Sequence, residues 1–146
     1  MVRKAKDEDV GRIAEILVFV KRINFFPIFQ DEQYSFKELN VVDIVKEVQE
    51  KVSEFYVYDD GVIKAVMHIQ NEELVTLYVD SFFQNQGIGS KLLKYAIDVC
   101  DIQYLWALEK NTGAICFYLR NGMYITDEKK LEEDTTEYLV KLKRLA

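Results

Sequence analysis

The chain has 146 residues, 49% of them hydrophobic and 30% charged, which is typical of one globular domain over residues 1–146. Its net charge of −6 disfavours nucleic acid as a partner, because binding to a phosphate backbone needs a basic face. The N-terminus lacks the apolar core of a signal peptide, and no apolar run reaches the roughly 20 residues that cross a bilayer. We therefore expect a cytoplasmic protein without a membrane partner. Two cysteines and one histidine fit no zinc spacing, so no metal is expected.

The N-terminal half predicts a strand, two helices and then a three-stranded meander. Apolar residues recur with helical spacing in both helices, and Pro27 is expected to interrupt the pattern between them. The spacing then changes to that of strands, with Gly61 supplying the positive φ of a turn. The predicted elements are a strand at 2–5, helices beginning near 10 and 41, and strands at 55–58, 62–70 and 73–79.

The C-terminal half predicts a helix, a strand, a second helix and two closing strands. A helix from Ser90 to Cys100 is followed by a strand at 104–108, and a strand-helix-strand unit of this kind implies parallel strands. Asn111 can cap the next helix, and Gly122 suits the left-handed residue after its end. The order βααβββαβαββ predicts an α/β fold, with a mixed, mostly antiparallel sheet of about seven strands and about four helices.

The segment LYVDSFFQNQGIGS, residues 77–90, runs from a strand into the start of a helix. The first amides of a helix have no partner within it, and the helix dipole adds partial positive charge, so the segment suits an anion such as a diphosphate. Two glycines allow close approach to the main chain. A tight strand-to-helix turn without a ligand is the alternative. No Gly-Lys-Ser/Thr follows, which excludes a P-loop.

Two spaced motifs in this chain resemble those of the GNAT superfamily of N-acetyltransferases. Gln84-x-x-Gly87-x-Gly89 is similar to the family's Q/R-x-x-G-x-G/A signature for coenzyme A. Asn111-x-x-Ala114-x-x-Phe117-Tyr118-x-x-x-Gly122-Met123 is similar to its N-x-x-A-x-x-F/L-Y-x-x-x-G-F segment. The resemblance in element order covers nearly the whole chain. It implies a GNAT-like fold and transfer of an acetyl group from acetyl-coenzyme A (acetyl-CoA) to a primary amine, in a complex holding both substrates.

The resemblance also implies how acetyl-CoA is held. Main-chain groups of Leu77, Tyr78 and Val79 would pair with the pantetheine arm, helped by a bulge in that strand, and an amide near Tyr78 would stabilise the oxyanion. Asn111 would bond the pantetheine as well as cap its helix. The residues expected at the diphosphate are Gln84, through its side chain, and Asn85, Gln86, Gly87, Ile88, Gly89 and Ser90.

Catalytic roles follow from the same resemblance. Tyr118 is implied as the general acid, since a tyrosine is protonated at neutral pH and can protonate the leaving thiolate; a core aromatic is the alternative. Glu73 stands where some members of the family have a basic glutamate, although it also suits an exposed hairpin turn. His68 is the second candidate for the base, with a packed strand residue as its alternative. A water wire without a dedicated base is the third option.

The acceptor amine is not identified by the sequence, and small molecules and peptides both remain open. Residues 25–29 and the acidic stretch 127–137 are expected near the acceptor, either as pocket walls or as ordinary packing and loop. A homodimer is compatible with the resemblance, but the sequence does not determine the oligomeric state. A non-catalytic acyl-CoA sensor on the same fold is the alternative function, and a binder of another nucleotide is the third.

Overall fold

The computed structural model describes residues 1–145, and across this range the predicted order of elements, βααβββαβαββ, is confirmed. The strands are β1 Val2–Lys4, β2 Phe55–Asp59, β3 Ile63–Gln70, β4 Glu73–Val79, β5 Tyr104–Leu108, β6 Met123–Leu131 and β7 Tyr138–Arg144. The helices are α1 Val10–Phe29, α2 Val41–Glu50, α3 Ile88–Asp98 and α4 Thr112–Arg120, with a π-helical turn at Tyr34–Glu38.

The strands form a mixed, mostly antiparallel sheet, as predicted, in the order β1-β2-β3-β4-β5-β7-β6. The parallel neighbours are β4 and β5, which pair at Glu73 and Tyr104. Within residues 1–145 no other pair joins these two strands, whereas β4 goes on pairing with β3 and β5 with β7 on their far sides. The sheet is therefore split in its middle, and we call the opening the β4–β5 cleft.

Two apolar cores lie on opposite faces of the sheet, because successive side chains of a strand point to opposite sides. On β3, Ala65, Met67 and Ile69 pack towards α3 and α4, while Val66 packs towards α1 and α2. Burying a large aliphatic side chain contributes roughly 1.5–3 kcal/mol. The helices of both layers thus fix β3 and its neighbour β4, which forms one wall of the cleft.

Helix α1 does not stop at Pro27, contrary to the expected interruption. It continues to Phe29, and the left-handed Gln30 closes it by donating its N–H to the carbonyl of Phe26 at 2.8 Å. The buried face of α1 holds the helix in place, so the loss of one hydrogen bond near its end is tolerated. Although α1 is 20 residues long, no helix within residues 1–145 is long and apolar enough to cross a membrane.

Candidate active site

The β4–β5 cleft has a volume of about 1150 Å³ and is bounded by α1, β4, β5, α4 and the β6–β7 loop. It brings together four of the residues expected at the site, namely Leu77, Tyr78, Asn111 and Tyr118. The loop 84–90 and Glu73 are not among its lining residues. The cleft is therefore the candidate for the reacting end of acetyl-CoA and for the acceptor.

Strand β4 contains a bulge, as the resemblance implied. Ile69 pairs with Leu74 and His68 pairs with Thr76, so Val75 is an extra residue with no counterpart on β3. A bulge bends its strand and increases the local twist. Here it lies at the point where β4 turns away from β5, and it therefore helps to open the cleft.

The hydrogen-bonding alternation of an antiparallel pair determines which main-chain groups of β4 face the cleft. Asp80 donates its N–H to the carbonyl of Lys64 at 2.9 Å. The main-chain N–H and C=O groups of residues 80 and 78 therefore point towards β3, and those of residues 77 and 79 point away from it. The Gln84 side chain contacts the carbonyl of Val79 at 3.4 Å, consistent with this direction. The open edge of β4 thus presents main-chain groups of Leu77 and Val79, whereas those of Tyr78 face β3.

The loop after β4 carries unpaired amides. Within residues 1–145, the main-chain N–H groups of residues 85–90 donate no hydrogen bond, and they lie around the N-terminus of α3. Gly87 precedes the helix with a φ of 78°, a conformation that favours glycine, and Asn85 also has a positive φ of 63°. Free amides next to a helix N-terminus favour an anion, and this arrangement is suited to the diphosphate of coenzyme A.

Tyr118 lies on α4, is only 8% exposed and lines the cleft. Its ring packs edge-on against Phe117, with centroids 5.2 Å apart. Burial raises the pKa of the Tyr118 hydroxyl above its ordinary value of 10, so the phenol stays protonated. Within residues 1–145 that hydroxyl makes no hydrogen bond, which leaves its proton available to a bound molecule.

Asn111 has two separate functions available to its side chain. Its carbonyl oxygen accepts a hydrogen bond from the N–H of Ala114 at 3.3 Å and so caps α4. The side-chain NH₂ group makes no hydrogen bond within residues 1–145, and Asn111 lines the cleft. Capping therefore orients the amide without using its donors.

Neither candidate base lies among the residues that line the cleft. Glu73 begins β4, where its main chain is paired with Gln70 on one side and Tyr104 on the other. The His68 ring stacks on the Phe55 ring, with the two centroids 4.3 Å apart. Its Nε2 lies 2.7 Å from a carboxylate oxygen of Glu54. This contact fits the packed-strand interpretation of His68.

Within residues 1–145 there is also no group of three or more histidine, cysteine, aspartate or glutamate residues that could hold a metal.

The acceptor side of the cleft contains residues that the sequence did not single out. Thr76 and Trp106 line it from β4 and β5, and Lys21 lines it from α1. The strand pattern could have indicated Trp106, because it alternates with the buried Leu105 and so faces away from α3 and α4. Thr76 and Lys21 line the cleft only because segments that are distant in the sequence pack together. Phe25, Ile28 and Phe29 are lining residues in the last turns of α1, not in a connection between helices.

The cleft is electrostatically negative at its acceptor side. Among the described residues that line it are one lysine and six acidic residues: Asp31, Glu38, Glu132, Glu133, Asp134 and Glu137. Burial lowers the pKa of Lys21, while the nearby carboxylates of Glu47 and Glu132 oppose this effect. The balance of charge therefore favours a positively charged molecule.

A family model described as an acetyltransferase (GNAT) domain matches residues 51–122, which include β2 to α4 and both motifs. No curated protein sequence matches the chain closely enough to be counted as a relative.

Solved structures similar to the whole chain include several N-acetyltransferases. An N-acetyltransferase from Staphylococcus aureus Mu50 has a TM-score of 0.78 at 14% identity, covering 98% of this chain and 99% of its own. The PaiA N-acetyltransferase of Thermoplasma acidophilum, in complex with coenzyme A, has a TM-score of 0.69 at 19% identity. The match covers 97% of this chain and 96% of the PaiA chain. A mutant of the spermidine N-acetyltransferase of Vibrio cholerae has a TM-score of 0.65 at 13% identity. The match covers 99% of this chain and 94% of the mutant's chain. At these identities the likeness concerns the fold. The resemblance is thus confirmed in two respects: residues 51–122 match the GNAT acetyltransferase domain, and the whole chain has the fold of N-acetyltransferases.

Proposed function

We propose that the protein transfers the acetyl group of acetyl-CoA to a primary amine, by direct attack of the amine while both substrates are bound. The observation that carries the proposal is the meeting of the open β4 edge, Asn111 and Tyr118 in one cleft. Unpaired amides at 85–90 follow the same strand. The structural neighbours include one N-acetyltransferase with coenzyme A bound and one that acts on spermidine.

Each part of acetyl-CoA has a matching part of the chain. The amides of residues 85–90 would hold the diphosphate, and the Gln84 side chain adds a donor beside them. The main chain of Leu77 and Val79 and the NH₂ group of Asn111 would hold the pantetheine arm. An N–H group on the open edge of β4 would donate to the thioester oxygen as negative charge develops on it.

Tyr118 then serves as the general acid. When the amine attacks the carbonyl carbon and the C–S bond breaks, the thiolate takes the hydroxyl proton of Tyr118. Since burial raises the pKa of this phenol, the proton is present at neutral pH. The attacking amine releases its proton to water in the open cleft, because neither Glu73 nor His68 lines it. This water route replaces the direct base that the resemblance suggested for Glu73.

Titration calorimetry with coenzyme A, ATP and NAD tests the binding half of the proposal, which requires coenzyme A to bind most tightly. Release of free thiol from acetyl-CoA with a panel of amines tests the transfer. Tyr118→Phe should lower kcat by about 100-fold, within the range for loss of a general acid, while coenzyme A affinity is retained. Tyr95→Phe is the matched control, because Tyr95 lies on α3 outside the cleft.

Two results would reject the proposal. A preference for ATP or NAD over coenzyme A would indicate a site for another nucleotide. Tight binding of acetyl-CoA with no transfer to any amine, in the unmodified protein and in Tyr118→Phe alike, would indicate a non-catalytic acyl-CoA sensor.

A further inference from the structure

We propose that the side-chain hydroxyl of Tyr78 positions the acceptor amine, by accepting a hydrogen bond from its N–H group while the amine attacks the thioester. This inference rests on the proposed function and assigns a further residue to the same reaction. It concerns the side chain, because the main-chain groups of Tyr78 point towards β3. Three observations support the role: the position of the side chain, the packing of its ring and its free hydroxyl.

Tyr78 and Tyr118 reach the cleft from opposite faces of the sheet. Tyr118 belongs to the core beneath α3 and α4, whereas the Tyr78 ring packs against the core beneath α1 and α2. Both residues line the β4–β5 cleft. The open main-chain edge at Leu77 and Val79 flanks Tyr78 on both sides. A thioester held along that edge would therefore have Tyr118 on one face and Tyr78 on the other.

The face with Tyr78 is the one open to an amine. On the opposite face, the loop 84–90 leads into α3, and Tyr118 lies on α4, so that side serves the coenzyme. On the face with Tyr78, α1 and the segment after it line the cleft, and Tyr34 of that segment packs against the same core as Tyr78. An acceptor that enters from the α1 side meets Tyr78 before it reaches the thioester.

The ring of Tyr78 is held in place by Phe25 of α1. The two rings pack edge-on, with centroids 6.4 Å apart, and Phe25 is itself a lining residue of the cleft. Edge-to-face contact is a preferred geometry of aromatic pairs, so it restricts the orientation of the tyrosine ring. The hydroxyl at the end of that ring is oriented with it.

The Tyr78 hydroxyl is both unpartnered and accessible. It makes no hydrogen bond within residues 1–145. In the same range, the side-chain nitrogen or oxygen that is sealed from solvent and also lacks a partner belongs to Thr76 alone. The Tyr78 hydroxyl, which lacks a partner too, therefore retains accessible surface, and a ligand in the cleft can reach it.

The phenol of Tyr78 stays neutral. Burial raises its pKa above the ordinary value of 10, and Tyr118, Tyr34 and Glu132 add smaller effects in the same direction. These groups thus lie near enough to the hydroxyl to act on it electrostatically. A neutral phenol is not a base, but its oxygen accepts hydrogen bonds. Tyr78 is therefore suited to orienting an amine and not to removing its proton.

The reaction shows where such a bond acts. One N–H group of the amine donates to Tyr78, which directs the nitrogen lone pair at the carbonyl carbon. As the C–N bond forms, the nitrogen becomes positive and the hydrogen bond to Tyr78 strengthens, because charged donors make stronger bonds. The C–S bond breaks, the thiolate takes the proton of Tyr118, and the nitrogen releases its extra proton to water, from which Tyr118 is reprotonated. The interaction should therefore favour both binding and turnover.

Tyr78→Phe removes the hydroxyl and keeps the ring. With butylamine as the acceptor, we expect kcat to fall about threefold and KM for butylamine to rise about threefold, so that kcat/KM falls about tenfold, the effect of one hydrogen bond. KM for acetyl-CoA should not change. Urea unfolding should show no loss of stability, because the hydroxyl has no partner within the protein to lose. Tyr124→Phe is the matched control, since Tyr124 is 43% exposed on β6 and lies outside the cleft.

A binding experiment measures the same contact without turnover. Trp106 is the one tryptophan of the chain and lines the cleft, so its fluorescence should report the binding of butylamine to the complex with coenzyme A. The dissociation constant should be about threefold higher in Tyr78→Phe than in the unmodified protein and unchanged in Tyr124→Phe.

The outcomes separate this inference from the proposed function. If butylamine is acetylated and Tyr78→Phe retains kcat/KM within twofold, the inference is overturned and the proposed function stands. A rise in KM for acetyl-CoA, or an equal loss in Tyr124→Phe, would show a general disturbance and would also overturn it. If butylamine is not acetylated, the titration decides: weaker binding in Tyr78→Phe supports the inference, and equal or absent binding overturns it. The proposed function itself fails only if no amine of the panel is acetylated.

Discussion

The ring of Phe117 lies directly against Gly89, so the two sequence motifs meet in space. A Cβ atom built on Gly89 would lie 3.2 Å from Cζ of Phe117 and 3.7 Å from a methyl carbon of Val79. Gly89 is helical and has no positive φ, so its lack of a side chain serves this close packing of α3 on α4. Because Tyr118 follows Phe117, the contact also helps to set the position of Tyr118, the proposed general acid.

Gly89→Ala should therefore destabilise the protein and disturb Tyr118. Overpacking costs roughly 1–3 kcal/mol, and alanine gains up to about 1 kcal/mol over glycine within a helix, so the net loss should be about 1 kcal/mol. Urea unfolding gives the free energy, and thiol release should show a lower kcat. Gly113→Ala in α4 is the control. Its Cβ would meet nothing within 4 Å, so this substitution should stabilise the protein. Equal stabilisation by both substitutions would contradict the packing argument.

Asp80 fixes the point at which the chain leaves β4 for the loop of free amides. One carboxylate oxygen accepts a hydrogen bond from Arg12 and the other from the N–H of Phe82, both at 2.9 Å. Asp80→Ala removes both, and loss of such a cap costs about 1 kcal/mol. We expect KM for acetyl-CoA to rise about fivefold while KM for the amine is unchanged.

Steady-state kinetics with each substrate varied in turn measure this separation. Asp98→Ala on α3 is the control, because Asp98 forms an exposed ion pair with Lys94 away from the loop. A rise in both KM values, or a fall in kcat alone, would show that Asp80 does not act through the loop.

The order of the elements could be predicted because each one has a local cause. Asn111 caps α4, Gly87 has the positive φ of a turn, and the alternation in β3 and β4 places apolar residues on both faces of the sheet. The two motifs were related to a coenzyme A site through their resemblance to a known family, and such a resemblance can be recognised because each motif spans only a short stretch of sequence.

The acceptor side could not be predicted, because it depends on long-range packing. The sequence suggested that Pro27 interrupts the helical pattern, but the buried face of α1 carries the helix to Phe29 and turns its last residues into a cleft wall. The bulge at Val75, beside the point where β4 and β5 stop pairing, likewise depends on how β4 lies against β3. Neither effect has a signal within a short window of sequence.

The pH dependence of turnover should reflect a tyrosine that stays protonated. A general acid acts below its pKa, and burial raises the pKa of Tyr118 above the ordinary value of 10. Rates limited by Tyr118 should therefore not fall between about pH 7 and about pH 10, while kcat/KM for the amine should rise as more of it loses its proton. Profiles of kcat measured with stopped thiol assays test this. An alkaline fall centred near pH 8 that disappears in Tyr118→Phe would contradict it.

Glu73→Gln should leave turnover within about twofold of the unmodified protein. Glu73 is not a lining residue of the cleft, and a base must come within hydrogen-bond reach of its proton, directly or through one water. The measurement is kcat across the acidic and neutral range, with His68→Asn examined in the same way. A drop of about 100-fold with loss of the acidic limb would restore Glu73 as the base.

Acid stability should depend on a carboxylate far from the cleft. Arg3 donates hydrogen bonds of 2.7 and 3.1 Å to the buried Asp9, and Asp9 also accepts from the N–H of Lys6. The bonds from Arg3 are the main cause that lowers the pKa of Asp9 below 3.8. The stabilisation is therefore complete above the unfolded value of 3.8 and is lost as the pH falls through the lower value of the folded state.

Asp9→Asn should cost about 1.5–3 kcal/mol at neutral pH, the usual contribution of hydrogen bonds to a charged group. Its free energy of unfolding should also vary less with pH on the acidic side, because the carboxylate that takes up a proton is gone. Urea unfolding at neutral pH and at several acidic pH values measures both effects. Asp7→Asn is the control, since Asp7 is exposed and its substitution should change little. If both variants lost the same stability at every pH, the contribution would come from general charge and not from the contact between Arg3 and Asp9.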